Sequence, residues 1–442
     1  MEFPSFMSQM LYSKALQFYQ SKNLVAAKNS CWKIKSASDC FGKAAFLLGC
    51  IAKDEKRWDL AASQFKKSLS VNQSDFLSYV NLSEVHQNQS QFDLALEASE
   101  TSLPLADAPD AHAHCLRQLA KIQLELARHE EALCTLKKAI ALKPNSAASH
   151  YIFGYVLLQT HKASAAITSL RKAIELGLAS GTVFRDLGRA YILENMQTEA
   201  IAALEKSIEL DGPDDSAVHM INALRGQHTE VAPDIYIERL FDDLAGNFEK
   251  QLITDLEYDI PTKIVTLLQE ESYLQGSKSH ILDLGCGTGL VGQAMAPYSA
   301  SIVGVDLSQK MLNMARDKGT YSKLSKNNIL DELCTIDMTA FDYIIAADVL
   351  IYMGALVSLF ETLSQTNPIK KSSTFIFSVE LSSAKECQLL ASGRYAHSEQ
   401  YIDKLCEKYG FSIEVQNHTT IRTERGKAID GAIYFIQPKR PS

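Results

Sequence analysis

One residue type returns at a nearly constant interval through the first half of this 442-residue chain. Alanine occupies six positions separated by 34, 34, 37, 34 and 34 residues: Ala27, Ala61, Ala95, Ala132, Ala166 and Ala200. A small residue precedes each alanine by twelve positions: Ala15, Gly49, Ser83, Ala120, Gly154 and Gly188. A period of this length predicts an array of stacked supersecondary units, in which each unit contacts only its neighbours.

The order of small and large residues within each unit indicates a pair of packed helices. Four positions after the alanine comes a larger or apolar residue in every unit except the third, which has Ser99: Cys31, Phe65, Leu136, Leu170 and Leu204. Two helices approach closely only where both carry small side chains, and larger side chains fill the space beside that contact. We expect six helix pairs over residues 8–213, and a closing helix over 215–226 that ends at Gly226.

These units resemble the tetratricopeptide repeat family. The resemblance implies an α-solenoid over residues 1–226, with a curved groove that binds a protein or peptide partner. The alternative is that the array only stiffens or dimerises the rest of the chain. A polar linker, 227–234, then separates the array from a second domain, 235–442.

The second domain alternates apolar, strand-like runs with helical stretches. The runs are HILDLG, SIVGVDL, FDYIIAADVL, STFIFSVEL, FSIEVQN and AIYFIQ. This alternation predicts a Rossmann-like, doubly wound α/β domain with a parallel sheet covered on both faces. No helix separates the last two runs, so the final strand is expected to be antiparallel.

The stretch ILDLGCGTGL, Ile281–Leu290, predicts a nucleoside-binding loop. A strand runs into glycines that let bare backbone approach a ligand, and Asp306 stands at the end of the next strand, where a carboxylate can accept hydrogen bonds from a ribose. An acid two residues before the first glycine suits a cofactor with a cationic amino-acid end. Gly292 also leaves a looser glycine pattern, which keeps a dinucleotide as the alternative.

The loop resembles motif I of the class I S-adenosylmethionine-dependent methyltransferases, and this half of the chain is similar to the methyltransferases of quinone and biotin biosynthesis. The resemblance implies S-adenosylmethionine as cofactor, with Asp306 on the ribose, Asn328 on the adenine in place of the family's usual Asp, and LFDDLAGNFEKQL as a lid. The residues expected to hold the cofactor are Asp283, Gly285, Cys286, Gly287, Gly289, Asp306, Leu307, Met311, Asn328, Ile329 and Asp348.

The loops after the fourth, fifth and sixth strands are expected to bind the methyl acceptor. Candidates for acceptor binding are Arg394, Tyr395, Arg422 and Arg425, and those for catalysis are His397 and Tyr352. Arginine would bind an anionic acceptor, and histidine would remove a proton. Alternatively, His397 lies just outside a helix capped by Ser398 and is structural, the arginines belong to a charged hairpin loop, and the reaction needs no dedicated base.

Composition narrows the functional classes. A net charge of −8 argues against general nucleic-acid binding, and no apolar run is long enough to cross a bilayer. Nine cysteines without C-x-x-C pairs favour free thiols in the cytoplasm and no metal site. The sequence therefore predicts a methyltransferase whose repeats recruit a protein and whose acceptor is a protein or a small anionic molecule. The alternative is an adaptor that binds the cofactor without catalysis.

Overall fold

The computed structural model describes residues 5–244, 249, 257–275, 278–384, 386–424 and 426–439. The chain divides into two compact units, Met1–Met196 and Gln197–Ser442, and the division falls inside the last predicted repeat. The domain boundaries at 226 and 234 follow the sequence period and stay predictions.

The first unit consists of helix pairs joined by short turns, as the repeat predicts. Its helices are α1 Ser5–Gln20, α2 Leu24–Trp32, α3 Phe41–Asp54, α4 Trp58–Val71, α5 Phe76–Asn88, α6 Phe92–Ser102, α7 Pro109–Glu125, α8 His129–Leu142, α9 Ala147–Gln159, α10 Ala163–Glu175 and α11 Gly181–Leu193.

The small positions of the repeat lie where the paired helices meet. All six periodic alanines are fully buried. A Cβ added at Gly49 would lie 2.7 Å from Phe65 Cε1, and one added at Gly154 would lie 2.8 Å from Leu170 Cγ. The small residue thus makes room for the large residue of its own unit, which confirms the packing expected from the sequence.

The turn between paired helices has a feature that the sequence did not predict. One residue in each turn adopts a positive φ: Lys22, Lys56, Ser90, Ala127, His161 and Asn195. The next residue donates its N–H to a carbonyl in the preceding helix, as Arg57 does to Ala52 over 2.8 Å. This left-handed termination usually uses glycine, but none of these turns has one.

The second unit combines helices with a mixed sheet. Its helices are α12 Gln197–Asp211, α13 Asp215–Arg225, α14 Asp234–Leu244, α15 Ile260–Glu270, α16 Leu290–Met295, α17 Gln309–Asp317, α18 Ile329–Thr335, α19 Val357–Glu361 and α20 Glu399–Tyr409. Its strands are β1 Ser279–Leu284, β2 Ser299–Asp306, β3 Lys323–Lys326, β4 Tyr343–Ala346, β5 Thr374–Glu380, β6 Cys387–Leu389, β7 Tyr395–His397, β8 Phe411–Glu424 and β9 Lys427–Pro438.

Seven strands form one sheet in the order β3-β2-β1-β4-β5-β9-β8. β1 to β5 are parallel, and β9 pairs antiparallel with β5 and β8, which confirms the predicted doubly wound fold and its antiparallel last strand. Alternate strand residues enter different cores, since Ile344 packs in one apolar cluster and Ile345 in another. β6 and β7 form a separate hairpin.

Two local predictions were wrong. β3 was missed, because an edge strand with two lysines in four residues lacks an apolar run. The segment after the predicted strand FSIEVQN, which carries Arg422, was expected to be a loop, but most of it belongs to the long β8–β9 ladder, in which Arg422 pairs with Ile429. Arg422 therefore projects from a strand.

Candidate active site

The predicted cofactor residues meet at one edge of the sheet. Gly285 follows β1, and Asp306 ends β2. Asn328 and Asp348 stand two residues after β3 and β4, respectively. The carboxyl ends of neighbouring parallel strands lie at the same edge of the sheet, so these four stretches of sequence come together at that edge. The strand order reverses at this edge, which is where open α/β sheets bind ligands.

The glycine loop has the backbone conformation that glycine allows. Gly285, Gly287 and Gly289 have φ angles of +67°, +53° and +92°. Two of them also make room for protein side chains. A Cβ at Gly285 would lie 2.4 Å from Val349 Cγ2, and one at Gly289 would lie 2.9 Å from Tyr321 Cε2. Gly285 and Gly289 therefore make room for side chains of the protein as well as for a ligand, which was not expected from the sequence.

Tyr321 is the principal residue of this site that the sequence did not reveal. Its hydroxyl donates to Asp283 Oδ2 over 2.7 Å and accepts the Gly292 N–H over 3.1 Å. A Cβ at Gly292 or Gly304 would come within 2.5 or 2.8 Å of the Tyr321 ring. Gly292, which kept the dinucleotide alternative open, thus makes room for this ring.

Asp283 is buried in the protein rather than exposed on the loop. Only 1% of it is accessible, and burial raises the pKa of its carboxyl to about 7. The Tyr321 hydrogen bond opposes that rise, and the negative charge of Asp306 adds to it. The carboxyl therefore changes its charge near neutral pH, so its attraction for a cationic group increases as pH rises through about 7.

Asp306 joins the second strand to the glycine loop. Its Oδ2 accepts the Gly287 N–H over 2.9 Å, and its Oδ1 accepts the Ser308 N–H over 2.8 Å. Burial raises the pKa of the carboxyl, and these two hydrogen bonds oppose the rise. A carboxylate offers about four acceptor positions, so this carboxylate retains capacity to accept from a hydroxyl donor.

Asn328 is the residue predicted to contact the adenine, and Met311, Leu307 and Ile329 are apolar residues predicted to hold the cofactor. Asn328 Oδ1 accepts the Leu330 N–H over 2.8 Å and caps α18, while its amide group donates to Asp234. That oxygen has one lone pair left to accept a further hydrogen bond. Met311 is fully buried, and Leu307 and Ile329 are half-buried.

Cys286 adds no nucleophile to the site, and the structure describes only part of the predicted lid. Cys286 is buried, and burial raises the pKa of its thiol, so no thiolate forms there at neutral pH. Of the predicted lid, α14 contributes its last residues up to Leu244, and most of the remaining lid residues lie outside the described part of the chain.

Arg422 lies at the centre of a buried ion-pair network. Only 2% of it is accessible. Its Nε donates to Glu424 Oε1 over 2.6 Å, its Nη1 donates to Asp348 Oδ1 over 3.0 Å, and its Nη2 donates to Glu380. Burial disfavours the charged form, but the carboxylates outweigh it and raise the pKa of the guanidinium. These hydrogen bonds use three of its five N–H donors, and the role of Arg422 in binding an anionic acceptor stays a prediction.

The other residues predicted for the acceptor differ in their positions. Arg394, half-buried before β7, donates from Nη2 to Glu424. Tyr395 is fully buried, and its hydroxyl is 2.5 Å from the Thr229 hydroxyl, which gives it a structural position. Arg425 lies outside the described residues.

His397 has a structural environment. It is fully buried, and its Nε2 donates to the carbonyls of Met353 and Gly354 over 2.8 and 3.1 Å. Burial lowers the pKa of the ring to about 4. Since Nε2 is occupied, proton abstraction would have to use Nδ1, which has no hydrogen-bond partner among the described residues. Its role as a base stays a prediction.

Tyr352 is held at the site by the segment that the sequence presented as a linker. Ala232 donates its N–H to the Tyr352 carbonyl over 3.1 Å, and the Glu230 carbonyl accepts the Ala355 N–H over 2.7 Å. The Tyr352 ring packs edge-on against Phe241. The segment before α14 thus pairs with the loop after β4 and forms part of the site.

Glu380 and Glu424 are further site residues that sequence analysis missed. Glu380 ends β5, so the rule that ligands lie beyond the carboxyl ends of strands could have indicated it. Nothing in the sequence marks Glu424. Within the described residues, no three His, Cys, Asp or Glu side chains cluster as metal ligands would, and no helix is long and apolar enough to cross a membrane.

Three stretches match models of known families. Residues 281–366 match a methyltransferase domain, and residues 75–145 and 186–214 match tetratricopeptide repeats. The methyltransferase match includes Asp283, Asp306, Asn328 and Asp348. It ends before Arg394 and Arg422.

Two curated relatives match the same half of the chain. A ubiquinone biosynthesis O-methyltransferase of Coxiella burnetii is 32% identical over 85 residues, which cover 19% of this chain and 36% of that protein. A malonyl-[acyl-carrier protein] O-methyltransferase of Legionella pneumophila is 28% identical over 172 residues, which cover 38% of this chain and 58% of that protein. The chain thus spans about a third to three fifths of these relatives.

Two solved structures are similar to separate parts of the chain. The MamA protein aligns over 38% of this chain and 91% of its own, with 20% identity and a TM-score of 0.33. Magnesium protoporphyrin IX methyltransferase from Synechocystis PCC 6803 aligns over 47% of this chain and 99% of its own, with 17% identity and a TM-score of 0.36. The family matches confirm both resemblances drawn from the sequence: this chain carries tetratricopeptide repeats and a methyltransferase domain.

Proposed function

We propose that this protein is an S-adenosylmethionine-dependent methyltransferase whose repeats bind a protein partner or substrate. The observation that carries the proposal is the 2.9 Å hydrogen bond from the Gly287 N–H to Asp306. This hydrogen bond holds a partly accessible carboxylate next to the loop that contains the three positive-φ glycines. The loop lies at the edge of the sheet where the strand order reverses. The methyltransferase family match over residues 281–366 supports the same assignment.

The residues present fit this cofactor. Asp306 has acceptor capacity for a ribose hydroxyl, and Asn328 Oδ1 can accept from an adenine amino group. Asp283, when ionised, places a negative charge beside the glycine loop, where a cationic amino-acid end would lie. When bound, S-adenosylmethionine supplies an electrophilic sulfonium methyl group.

The chain's own contribution to transfer is orientation and exclusion of water. The Val349 side chain packs against the backbone of Gly285. Tyr352, which like Val349 follows β4, is nine-tenths buried. Methyl transfer is an in-line displacement that gains mainly from holding the two reactants in a reactive alignment. The acceptor cannot be taken from the relatives, because their matches cover only part of their length.

A labelled-methyl assay tests the proposal and separates it from the adaptor alternative. The full chain would be incubated with S-adenosylmethionine carrying a radioactive methyl group and with cell lysate fractionated into macromolecules and small molecules. We expect label in one fraction, and much less label with the Asp306→Ala variant at the same cofactor concentration. Cofactor binding without labelling of any fraction would contradict the enzyme and favour the adaptor.

A further inference from the structure

The first two repeat units carry a charge opposite to that of the chain as a whole. Residues 5–71 contain eleven Lys and Arg against four Asp and Glu, a net charge of +7, whereas the whole chain has a net charge of −8. Charges of one sign that are gathered in one part of a protein attract partners of the other sign. This end of the repeat array therefore favours an acidic partner.

A cavity opens in this basic part of the chain, between the second helices of the two units. Its volume is about 390 Å³, within the range of about 300–1,000 Å³ that is usual for binding pockets. Residues of α2 and α4 line its sides, and Leu48 and Ala52 of α3 line its buried part. The cavity thus lies apart from the row of first helices, α1, α3 and α5, which contact one another along the array.

The face of α2 that lines the cavity is apolar and exposed. Val25 and Trp32 lie two helical turns apart on this face, and 66% and 61% of them are accessible. Tryptophan is among the residues that contribute most to binding at protein interfaces, where its ring fills or borders a pocket. The cavity beside Trp32 is therefore suited to a large apolar side chain from a partner.

The rim of the cavity is cationic. Lys28 Nζ lies 2.6 Å from Glu55 Oε1, and Arg57 Nη1 lies 3.8 Å from Glu55 Oε2, so two cations share one carboxylate. The Arg57 side chain is 60% accessible, and a guanidinium group can bind a carboxylate through two hydrogen bonds. An apolar cavity beside such a cation favours a peptide over a nucleic acid, because the outer surface of a nucleic acid is a phosphate backbone.

We propose that the second-helix face of the first two units binds an acidic segment of a protein partner, with an apolar side chain in the cavity beside Trp32 and a carboxylate on Arg57. This inference rests on the proposed binding of a partner by the repeats, and it names the surface and the chemistry of that partner. It does not depend on methyl transfer. The net charge of +7 speeds association, and the apolar contact with Trp32 slows dissociation.

Fluorescence anisotropy of labelled hexapeptides with the full chain tests the proposal. The probe has two glutamates at each end, with leucine and phenylalanine at its centre. One matched peptide replaces the glutamates by lysines, and a second replaces the central pair by glycines. We expect the probe to bind about tenfold more tightly than either matched peptide. Its affinity should fall as the salt concentration rises, because salt screens exposed charges.

Two variants identify the surface that binds the probe. Trp32→Ala should weaken binding about tenfold, and Arg57→Gln about threefold. The matched controls are Leu142→Ala and Arg171→Gln, because Leu142 is an exposed last residue of another second helix, α8, and Arg171 is exposed on α10. Both controls should bind the probe as native protein does, and circular dichroism should confirm that every variant is folded.

Several outcomes would overturn the inference: no binding of the probe, equal affinity for the lysine peptide, or tighter binding of a labelled thymidine hexanucleotide. Native affinity in both Trp32→Ala and Arg57→Gln would mean that the peptide binds elsewhere, which would leave the proposed function standing. A native dimer in sedimentation that Trp32→Ala dissociates would identify a second copy as the occupant and contradict the inference. Failure of the labelled-methyl assay would contradict the enzyme without affecting this surface.

Discussion

Tyr321 and Asp283 share a 2.7 Å hydrogen bond beneath the glycine loop, although 38 residues separate them in the chain. The pair explains three glycines at once, because Gly289, Gly292 and Gly304 all border the Tyr321 ring and could not carry a side chain beside it. It also governs the charge of Asp283, the acid that distinguishes this loop from a dinucleotide loop. The hydroxyl is thus positioned to tune cofactor binding.

Removing that hydroxyl should shift the pH dependence of cofactor affinity. The pKa of Asp283 is about 7, and the Tyr321 hydrogen bond holds it down. Affinity of the native protein for the cationic cofactor should therefore increase as pH rises through about 7. In Tyr321→Phe the same increase should occur at higher pH. Calorimetry with S-adenosylmethionine between about pH 6 and about pH 9 measures both curves. Tyr298→Phe, at a partly exposed tyrosine elsewhere in the unit, is the control, and coincident curves for Tyr321→Phe and native protein would contradict the role.

The close approach of Val349 should make Gly285 costlier to replace than its backbone angle alone requires. Gly285 and Gly319 have nearly equal φ angles, +67° and +69°, but a Cβ at Gly319 would meet nothing within 4 Å. Gly319→Ala should cost about 1 kcal/mol of unfolding free energy, and Gly285→Ala about 2–4 kcal/mol. Denaturant unfolding followed by tyrosine circular dichroism measures the difference. Equal costs for the two variants would contradict the close contact between Gly285 and Val349.

His397 should make stability depend on pH below neutrality. Its folded pKa is about 4, below the ordinary 6.5, so the folded state binds fewer protons than the unfolded one between these values. The resulting stability is fully present above pH 6.5 and is lost as pH falls towards about 4, by at most about 3 kcal/mol. Unfolding experiments across that range should show a shallower decline in His397→Asn than in native protein. Parallel declines would show that His397 does not titrate as described.

The left-handed turns of the repeats predict a stabilising substitution. Ala127 has a φ of +55°, which glycine adopts without steric cost. Ala127→Gly should raise the unfolding free energy of the repeats by about 0.5–1 kcal/mol. Ala165→Gly, on the exposed face of α10, should lower it by about 1 kcal/mol. Both tryptophans, Trp32 and Trp58, lie in the repeats, so their fluorescence follows this unit. Destabilisation by Ala127→Gly would contradict the turn geometry.

The sequence predicted the parts of the fold that depend on short-range patterns. Periodic alanines gave the helix pairs, β1 ends at Leu284 and α16 begins at Leu290 as expected, and Ser398 caps α20 through the Tyr401 N–H. The helix pairs follow from a period of about 34 residues, and the strand end, the helix start and the cap follow from residues within a few positions of one another. The left-handed turns were not predicted, because the residues that adopt a positive φ in them are lysine, serine, alanine, histidine and asparagine, which share no sequence signal.

The acceptor side was harder to predict because its contacts join distant strands. The arginines carried a signal in the sequence, but Glu380 and Glu424, the partners of Arg394 and Arg422, did not, so their ion pairs were not predicted. Arg422 reaches Asp348 across 74 residues, and only the sheet order brings them together. The charge of the site therefore emerged only when both arginines and all three carboxylates were placed in space.

Binding of S-adenosylmethionine by native protein and by Asp306→Ala tests the central claim most directly. Calorimetry should show binding to native protein and a loss of about 2–3 kcal/mol, roughly thirty- to 150-fold in affinity, for the variant. Asp317→Ala, which removes an exposed acid from the end of α17, should bind as native protein does. Equal affinity in native protein and Asp306→Ala, or preference of the native protein for a dinucleotide, would contradict the account.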